Sequence, residues 1–474
     1  MRRWQHRTVW ITATAVAAGM LMGAARLDYA ALARHAAAGP HLFQTEGCAG
    51  HPQGGAAARA TAPAVGLTAW TTFEGSTAHN AVLPAPAAAG GTFSASWRFP
   101  TGGSIVTAPT VAGGAVYAGS MDGCVYALDA TTGHLLWSFL ADNQVMSEPL
   151  VAGGSVFFGS GNKGMGLTPT GTVRGTGYSG LYALNAATGA EEWYLPTLGE
   201  DMPTPVYHNG VLYEAGGGKI FYAVSAATGK LLWQVADGSY VSMSSPALVG
   251  DIAVFGGADP YALVGVNIRT HQVAWTLPLA AANSGLDDVS PAAAGNTVYI
   301  QVPEGSAVKR VVELAVDART GAVLWQTVLG TDVWNLVQRA AGRGELQAYD
   351  GEETGLSTVV AGRVYVGSPG LPDLWALDAR TGAVIWRSHL SQPVRTPPAV
   401  AGNELYVTGN STLFQLDAST GRLLQSHVYN TFTEGSGIMI PCTTAGPVIV
   451  GKTLLLAGGD NGNTVIATAL GGLP

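Results

Sequence analysis

The sequence predicts an all-β protein, an eight-bladed β-propeller of four-stranded blades in which the N-terminal strand joins the C-terminal blade to close the ring. Three observations predict this fold. A short unit ending on Trp recurs along the chain, two further strand-like runs precede each copy, and the chain ends supply complementary parts of one more unit. A four-strand repeat of about 40 residues is typical of a propeller blade.

The recurring unit is a strand, a turn and a second strand. In the first copy, 125–137, residues alternate with the period of a strand before an Ala-Thr-Thr-Gly turn, where Gly133 can take a positive φ. Two more runs with a Gly turn between them lie upstream, which makes four strands per unit. Six further copies follow: 181–193, 221–233, 263–275, 313–325, 374–386 and 413–425.

The two chain ends are complementary. The segment around Trp97 has the pattern of a fourth strand without the first three, whereas 447–470 has three strands without a fourth. Pairing them completes an eighth blade, and a closed ring leaves only short, protected strand edges. An open solenoid, the alternative for a repeated chain, would not need complementary ends.

The repeated pattern A-x-D-A-x-T-G-x-x-x-W, which runs from Ala127 to Trp137 in the first copy, resembles the repeat of the PQQ-like, or quinoprotein-type, propellers. The resemblance covers roughly residues 70–474. It implies the fold but leaves the function open, because this fold hosts quinone-dependent dehydrogenases, assembly scaffolds and hydrolases.

The N-terminal region has the features of an export signal followed by a linker. Arg2, Arg3 and Arg7 precede an apolar stretch at 9–25, and Ala-Leu-Ala at 31–33 offers a cleavage site. We therefore expect a periplasmic or extracellular protein. The alternative is an uncleaved N-terminal segment, which would be its only contact with a membrane. The predicted division of the chain is a signal peptide at 1–33, an Ala/Gly/Pro-rich linker at 34–68 and the propeller at 69–474.

The surface chemistry of the chain is unusual. Charged residues make up 11% of the sequence, against about 25% in an ordinary protein. A very acid exterior would explain this, because carboxylates lose their charge below about pH 3 and ion pairs then vanish. A genome rich in Ala and Gly codons is the alternative explanation. The net charge of -8 argues against nucleic acid as a partner.

Three cysteines allow at most one intramolecular disulfide. Cys124 and Cys442 fall in blades that a closed ring makes neighbours, so a bridge between them is compatible with the fold. Cys48 and His51 resemble part of a c-type haem site, but the second Cys of C-x-x-C-H is missing. We therefore expect Cys48 to be a remnant of a lost haem site, to be a free thiol or to form an intermolecular disulfide.

Four insertions are longer than the repeat needs, and all fall at one end of the channel. Two join the second and third strands of a blade, and two join a fourth strand to the next blade. In an up-and-down blade these two kinds of loop emerge on the same face, which is the default place for a ligand. The insertions are 161–180, 302–311, 330–355 and 427–437.

Charged residues gather at the predicted start of the channel-lining strands. When these strands are aligned on their prolines, most residues three and four places before the proline are apolar or small. The exceptions are Asp201, the pair Asp287 and Asp288, and Arg395, while Glu148 stands one place before its proline. Strand alternation would turn only one member of the pair into the channel. The alternative is that these aspartates only cap loops.

Three functions are compatible with the fold. A PQQ-dependent dehydrogenase typically has vicinal cysteines against the quinone and a Glu/Asn/Asp set for calcium, and this chain has no adjacent Cys pair. A scaffold of the outer-membrane assembly type would need neither rim acids nor long insertions. It normally carries a lipidated Cys, which this signal lacks.

The third function is hydrolysis of a sulfur compound outside an acidophile. The repeats, the low charge, the segment 70–80 ahead of the ring and the acidic pair resemble the tetrathionate hydrolases of acidophilic sulfur oxidisers. The resemblance implies an exported enzyme that cleaves tetrathionate to thiosulfate, sulfur and sulfate, with no required cofactor. PQQ stays an unsupported alternative, no metal site is legible, and a homodimer is compatible with the sequence.

The expected chemistry assigns roles to the rim residues. At about pH 3 a histidine is a cation, whereas an aspartate of ordinary pKa is still partly ionised, so Asp287 or Asp288 is the candidate general base. Arg395 keeps its charge at any pH and would hold a sulfonate. Further candidates for binding the anionic sulfur substrate are Asp201, Glu148, Arg174, Lys163 and Trp334.

Overall fold

The protein is an eight-bladed ring, as the sequence predicts. The computed structural model describes residues 48, 73–80, 82–83, 95–162, 165–168, 171–175, 178–282, 285–305, 310–331, 354–409, 411–429, 445–458 and 463–469. Within them lie 35 strands and one 3₁₀ helix, Phe73–Gly75.

The first four blades follow one another along the chain, each with its first strand innermost and its fourth strand outermost. Their strands are, in blade 1, β3 (Thr110–Ala112), β4 (Ala115–Gly119), β5 (Cys124–Asp129) and β6 (Leu135–Leu140); in blade 2, β7 (Leu150–Ala152), β8 (Ser155–Ser160), β11 (Gly180–Asn185) and β12 (Glu191–Pro196); in blade 3, β13 (Val206–His208), β14 (Val211–Ala215), β15 (Ile220–Ser225) and β16 (Leu231–Ala236); in blade 4, β17 (Ala247–Val249), β18 (Ile252–Gly257), β19 (Ala262–Asn267) and β20 (Gln272–Pro278).

The remaining blades repeat this order. Their strands are, in blade 5, β21 (Ala292–Ala294), β22 (Thr297–Glu304), β23 (Arg310–Asp317) and β24 (Val323–Thr331); in blade 6, β25 (Ser357–Val360), β26 (Arg363–Ser368), β27 (Leu371–Asp378) and β28 (Val384–His389); in blade 7, β29 (Ala399–Ala401), β30 (Glu404–Thr408), β31 (Thr412–Asp417) and β32 (Leu423–Val428); in blade 8, β33 (Val448–Val450), β34 (Thr453–Gly458), β35 (Thr464–Ala469) and β2 (Ala95–Pro100).

Ring closure occurs where the complementary ends predict it. Strand β2 pairs antiparallel with β35, with Trp97 opposite Ala467 and Phe99 opposite Val465, so the N-terminal strand supplies the fourth strand of blade 8. The Thr101 hydroxyl also donates to the Asn463 carbonyl at 2.9 Å. Closure of the ring in this way covers both ends of the repeat array.

The Trp and Gly of the repeat hold neighbouring blades together. The Trp97 indole donates to the Ala130 carbonyl of blade 1 at 3.1 Å, and a Cβ on Gly133 would lie 2.6 Å from the Trp97 ring. Glycine is therefore needed both for its φ of 71° and for the close approach of the indole. At the junction of blades 3 and 4, His271 replaces this glycine, with a φ of 59° and its ring stacked 4.5 Å from Trp233.

The disulfide differs from the sequence prediction. Cys48 bonds to Cys124, and both are fully buried in the core between blades 8 and 1. The expectation for Cys48 was therefore wrong, and Cys124 is not available to Cys442, which lies outside the described residues. The sequence around Cys48 is Ala- and Gly-rich like a linker and gave no indication that this position packs against a blade.

The innermost strands are shorter than the alignment on prolines suggested. Each has three or four residues, and β21 begins at Ala292, one residue after Pro291. Proline lacks the N–H that an inner strand would donate, so the ladder starts after it. The rim residues that we assigned to strand starts lie instead in the segments leading into these strands, and Asp287 and Asp288 lie in a turn.

The segment 73–83, which we call the channel strap, runs inside the ring across the innermost strands of four blades. The Thr77 carbonyl accepts from Leu248 of β17, and the Ala78 carbonyl accepts from Ala293 of β21. The Asn80 side chain accepts from the Val359 amide of β25. Beyond it, β1 (Val82–Leu83) pairs parallel with β29. The strap therefore bonds to blades 4 to 7 in turn.

Candidate active site

The candidate site lies at the channel mouth that carries the insertions. The 161–180 insertion forms a hairpin of β9 (Met165–Thr168) and β10 (Gly171–Arg174), which ends at Arg174. The Arg174 amide donates to the Gly217 carbonyl at 3.1 Å, and its carbonyl accepts from Glu200 at 2.7 Å. A Cβ on Gly217 would lie 2.2 Å from that carbonyl, so the glycine permits the docking of the hairpin.

Arg174 forms ion pairs with several acidic residues at the mouth. Its guanidinium lies 2.7 Å from Asp287, 2.6 Å from Glu200 and 3.8 Å from Asp288. Burial alone would lower the pKa of Arg174, but Asp288, Glu200 and Asp287 together raise it above its ordinary value. The guanidinium is therefore charged at every pH at which the protein folds. It also lies 5.9 Å from the centre of the Tyr240 ring.

The loop that carries the acidic pair is held along its length. Three consecutive amides, Ser242, Met243 and Ser244, donate to the Asp287 carbonyl at 2.9 to 3.1 Å. The Ser244 hydroxyl donates to Val289, and the Ser290 hydroxyl accepts from the Ser245 amide. The backbone of the pair is thereby fixed against the equivalent segment of blade 4. These contacts hold the backbone of the pair in place, and the alternative that the two aspartates cap a loop stays open.

The two aspartates differ in direction. Asp288 occupies the same place before its proline as Val106, Met146, Met202 and Met243, which are buried and pack together as one cluster. Because these side chains come from four neighbouring blades and pack together, we infer that the Asp288 position also faces the channel axis. Asp287 instead makes the shorter contact with Arg174, and its side chain is 6% exposed against 10% for Asp288.

Behind Arg174 lies a group of buried acids. Glu200, Asp201 and Glu214 are all 0% exposed. Burial raises the pKa of Glu200 to about 8, although Arg174 opposes the shift. Burial raises the pKa of Asp201 and Glu214 well above their ordinary values, and the neighbouring acids raise them further. At acid pH these three side chains are therefore neutral.

Arg395 and Glu148 were predicted on the same rim. Arg395 is 5% exposed, and its Nε donates to the Thr354 carbonyl at 3.4 Å. The Thr354 hydroxyl in turn donates to Gly285, two residues before Asp287, so the structure places Arg395 beside the acidic loop. Glu148 is buried and its amide donates to the Thr204 hydroxyl, which belongs to blade 3.

Among the predicted site residues, Arg174, Asp287 and Asp288 meet directly, and Arg395 joins them through Thr354. Asp201 does not face the channel axis with them. It is fully buried, and its carboxyl accepts from the Thr197 hydroxyl. Lys163 and Trp334 lie outside the described residues, as do 332–353 and 430–444, which include most of two insertions.

Glu200, Tyr240 and Glu214 were missed from the sequence. Glu214 was detectable, because the strand register gives it the place that core residues such as Phe158, Phe255 and Ile300 fill in other blades. Aligning the repeats shows an acidic residue at a position where the other blades have an apolar core residue. Glu200 and Tyr240 gave no such signal, since they lie in loops whose sequences differ between blades.

The described residues of the mouth give no support for a quinone cofactor. PQQ is a flat ring system, and a site for it needs a flat slot at the channel. Here Val106, Met146, Met202 and Met243 pack against one another at the axis and are at most 5% exposed. Among the described residues, no group of three or more His, Cys, Asp and Glu side chains is arranged to hold a metal ion.

Comparison with known proteins agrees with the fold. Three consecutive stretches, 55–171, 169–312 and 308–472, match the PQQ_2 family model described as outer membrane protein assembly factor BamB. The chain is also 30% identical over 372 residues to the tetrathionate hydrolase of Acidithiobacillus ferrooxidans, covering 73% of this chain and 70% of that protein. The chain belongs to the PQQ-like propeller family. These matches support our expectation of a hydrolase-like enzyme.

Further similarities are more distant. The tetrathionate hydrolase of Acidianus ambivalens is 28% identical over 303 residues, which cover 58% of this chain and 52% of that protein. The quinohemoprotein alcohol dehydrogenase of Comamonas testosteroni superposes with a TM-score of 0.61 at 14% identity, over 94% of this chain and 84% of that one. At that identity the likeness concerns the fold alone. In the described part of the chain, no helix is long and apolar enough to cross a membrane.

Proposed function

We propose that the protein is an exported hydrolase of an inorganic polythionate, tetrathionate in the first instance, working at acid pH without a quinone. The observation that carries the proposal is the position of Asp288. It faces the channel axis beside the Arg174–Asp287 ion pair, at the mouth of a chain that is 30% identical to a tetrathionate hydrolase.

Asp288 acts as the general base in this proposal. Water attacks one sulfur of the central S–S bond and gives a proton to Asp288, and the S–S bond breaks with its electron pair on the leaving thiosulfate. The other half, HO–S–SO₃⁻, decomposes to sulfur and hydrogen sulfate, so atoms and charges balance. An aspartate suits this step, because a histidine would already be a cation at about pH 3.

Arg174 and Asp287 hold the base in place. Arg174 contacts both aspartates, and its position is fixed in turn by Glu200 and by the docked hairpin. The guanidinium stabilises negative charge on the pair in an environment that excludes most water. Arg395, which is buried beside the same loop, binds a sulfonate oxygen of the dianion.

The buried acids suit the charge of the substrate. A dianion would be repelled from a mouth that carried Glu200, Asp201 and Glu214 as carboxylates. Because their pKa values are raised, these groups keep their protons in acid and add no negative charge. Substrate binding should therefore weaken as the pH rises through about 8, the pKa of Glu200.

The test is turnover by the purified mature protein at about pH 3, with tetrathionate as substrate and no added cofactor. Ion chromatography follows thiosulfate and sulfate, and a heat-denatured sample gives the uncatalysed rate. We expect both products at a rate far above that control. Absence of product would refute the proposal. A second arm with PQQ, calcium and an electron acceptor would then distinguish a dehydrogenase, which reduces the acceptor, from a scaffold, which does not.

A further inference from the structure

The His79 side chain of the channel strap contacts the C-terminal end of the acidic loop. His79 is 1% exposed, and its Nδ1 lies 2.8 Å from the Pro291 carbonyl, 212 residues away in sequence. The Phe73 ring packs edge-on against the imidazole, with ring centres 4.8 Å apart. Pro291 ends the segment that carries Asp288, three residues upstream.

His79 also interacts with the neighbouring blade. The Pro246 carbonyl also raises the pKa of His79, against the larger lowering by burial, and Pro246 is the blade 4 equivalent of Pro291. The segments that end at these two prolines are the ones that meet around the Asp287 carbonyl. His79 therefore lies at the C-terminal ends of the same two segments that the Ser242, Met243 and Ser244 amides connect at Asp287.

The backbone at His79 indicates that this contact is specific. Its φ is 53°, a left-handed conformation that a non-glycine residue adopts at some cost. The adjacent Ala78 carbonyl accepts from Ala293, and the Asn80 amide side chain donates to the Ala293 carbonyl. Three consecutive strap residues thus bond to the stretch from Pro291 to Ala293, which begins three residues after Asp288.

We propose that His79 is a positioning residue of the active site. Its contact with Pro291 on the channel side fixes the position and orientation of Asp288 relative to the channel axis. This inference rests on the proposed function for its catalytic consequence. The geometry it invokes stands independently, because the contact of His79 with Pro291 does not depend on what the site cleaves.

The test compares three variants, each with a substitution that tolerates the positive φ of the residue it replaces. His79→Gly removes the ring without straining a positive φ, and His79→Asn tolerates the same φ while placing an amide donor where Nδ1 lies. His271→Gly is the control, since His271 has a similar φ of 59° but lies at the outer junction of blades 3 and 4, away from the mouth.

Two readouts are measured at one acid pH. The first is hydrogen–deuterium exchange of the Ala293 amide and its peptide, which does not require turnover. The second is the separation of kcat from KM for tetrathionate. We expect His79→Gly to speed exchange at Ala293 about 10-fold or more and to lower kcat at least 10-fold with little change in KM. We expect His79→Asn to stay within about threefold of wild type in both, and His271→Gly to change neither.

Unchanged exchange at Ala293 in His79→Gly would overturn the positioning role, whether or not the wild type cleaves tetrathionate. So would equal losses of kcat in all three variants, since these would reflect general destabilisation. If the wild type does not turn over tetrathionate, the proposed function fails alone, and the exchange result still decides the role of His79.

Discussion

Glu313 gives a direct test of how the protein is adapted to acid. It is fully buried in β23, and its carboxylate accepts from the Ser357 hydroxyl at 2.7 Å. The strand register places it where Leu181, Leu263 and Leu374 stand in other blades. Burial raises the pKa of Glu313 from 4.5 to about 8, against the opposing effect of Ser357.

The sign of the effect follows from where each state holds the proton. Below about pH 4 the carboxyl is neutral in both the folded and the unfolded chain, so it carries no ionisation penalty. Between about pH 4.5 and pH 8 the unfolded chain ionises while the folded chain keeps the proton, and stability falls as pH rises. The loss is complete above pH 8 and is on the order of 5 kcal/mol, since each pH unit corresponds to about 1.4 kcal/mol.

The perturbation is Glu313→Leu, which restores the residue type of the other blades. We expect the free energy of unfolding to change by about 1 kcal/mol or less at pH 3, where a neutral hydrogen bond is exchanged for apolar burial. At pH 8 the variant should be more stable than wild type by several kcal/mol. Glu313→Gln is the matched control, because it keeps a polar side chain opposite Ser357 but cannot ionise.

The assay is urea unfolding followed by tryptophan fluorescence at pH 3, 5, 7 and 8. The quantity compared is the difference between variant and wild type as a function of pH. A difference that does not vary with pH would refute the reasoning, since it would mean that Glu313 ionises alike in both states. A stabilisation confined to pH 3 would contradict its sign.

Three more buried ionisable groups affect how the stability of the protein depends on pH. Burial raises the pKa of Asp237 to about 8 as well, and Glu200 behaves alike, whereas burial lowers the pKa of His79 to about 4. The histidine acts in the opposite sense, because its folded form resists protonation and loses stability as pH falls from about 6.5 to 4. The acids outnumber it, so wild-type stability should be higher at pH 4 than at pH 8.

Two further predictions concern the mouth and the disulfide. Arg395→Ala should raise KM for tetrathionate at least 10-fold and leave the melting temperature within a few degrees of wild type. Steady-state kinetics and calorimetry measure these two quantities. An unchanged KM would show that Arg395 does not bind the substrate. Cys48→Ser should cost about 3 to 5 kcal/mol of stability, because the bond to Cys124 closes a loop of 76 residues. Equal urea midpoints for the oxidised wild type and Cys48→Ser would contradict that structural role.

Much of the fold could be predicted because the information is local and repeated. Each Trp and Gly pair recurs at the same place in its blade, so one junction, such as Trp97 against Gly133, explains most of the others. Ring closure followed from the missing strand at one end and the extra strands at the other. The exception at His271 still keeps the left-handed backbone that the glycine would have had.

The site was only partly predictable. Asp287, Asp288 and Arg174 were identified as departures from the repeat, but their direct contact joins residues 113 apart and depends on how the hairpin docks. The channel strap could not be derived, since it has no repeat period and pairs with four blades at once. The Cys48–Cys124 bond was missed for a similar reason, because its first residue lies in a segment with linker composition.

The most direct test of the central claim is the turnover number of Asp288→Asn on tetrathionate at pH 3, measured beside Asp287→Asn and wild type. We expect Asp288→Asn to lose at least 100-fold in kcat with its melting temperature retained, because the amide cannot accept the proton from water. We expect a smaller loss for Asp287→Asn, which keeps a polar contact with Arg174. Full turnover in Asp288→Asn would contradict the assignment of the base and, with it, the location of the active site.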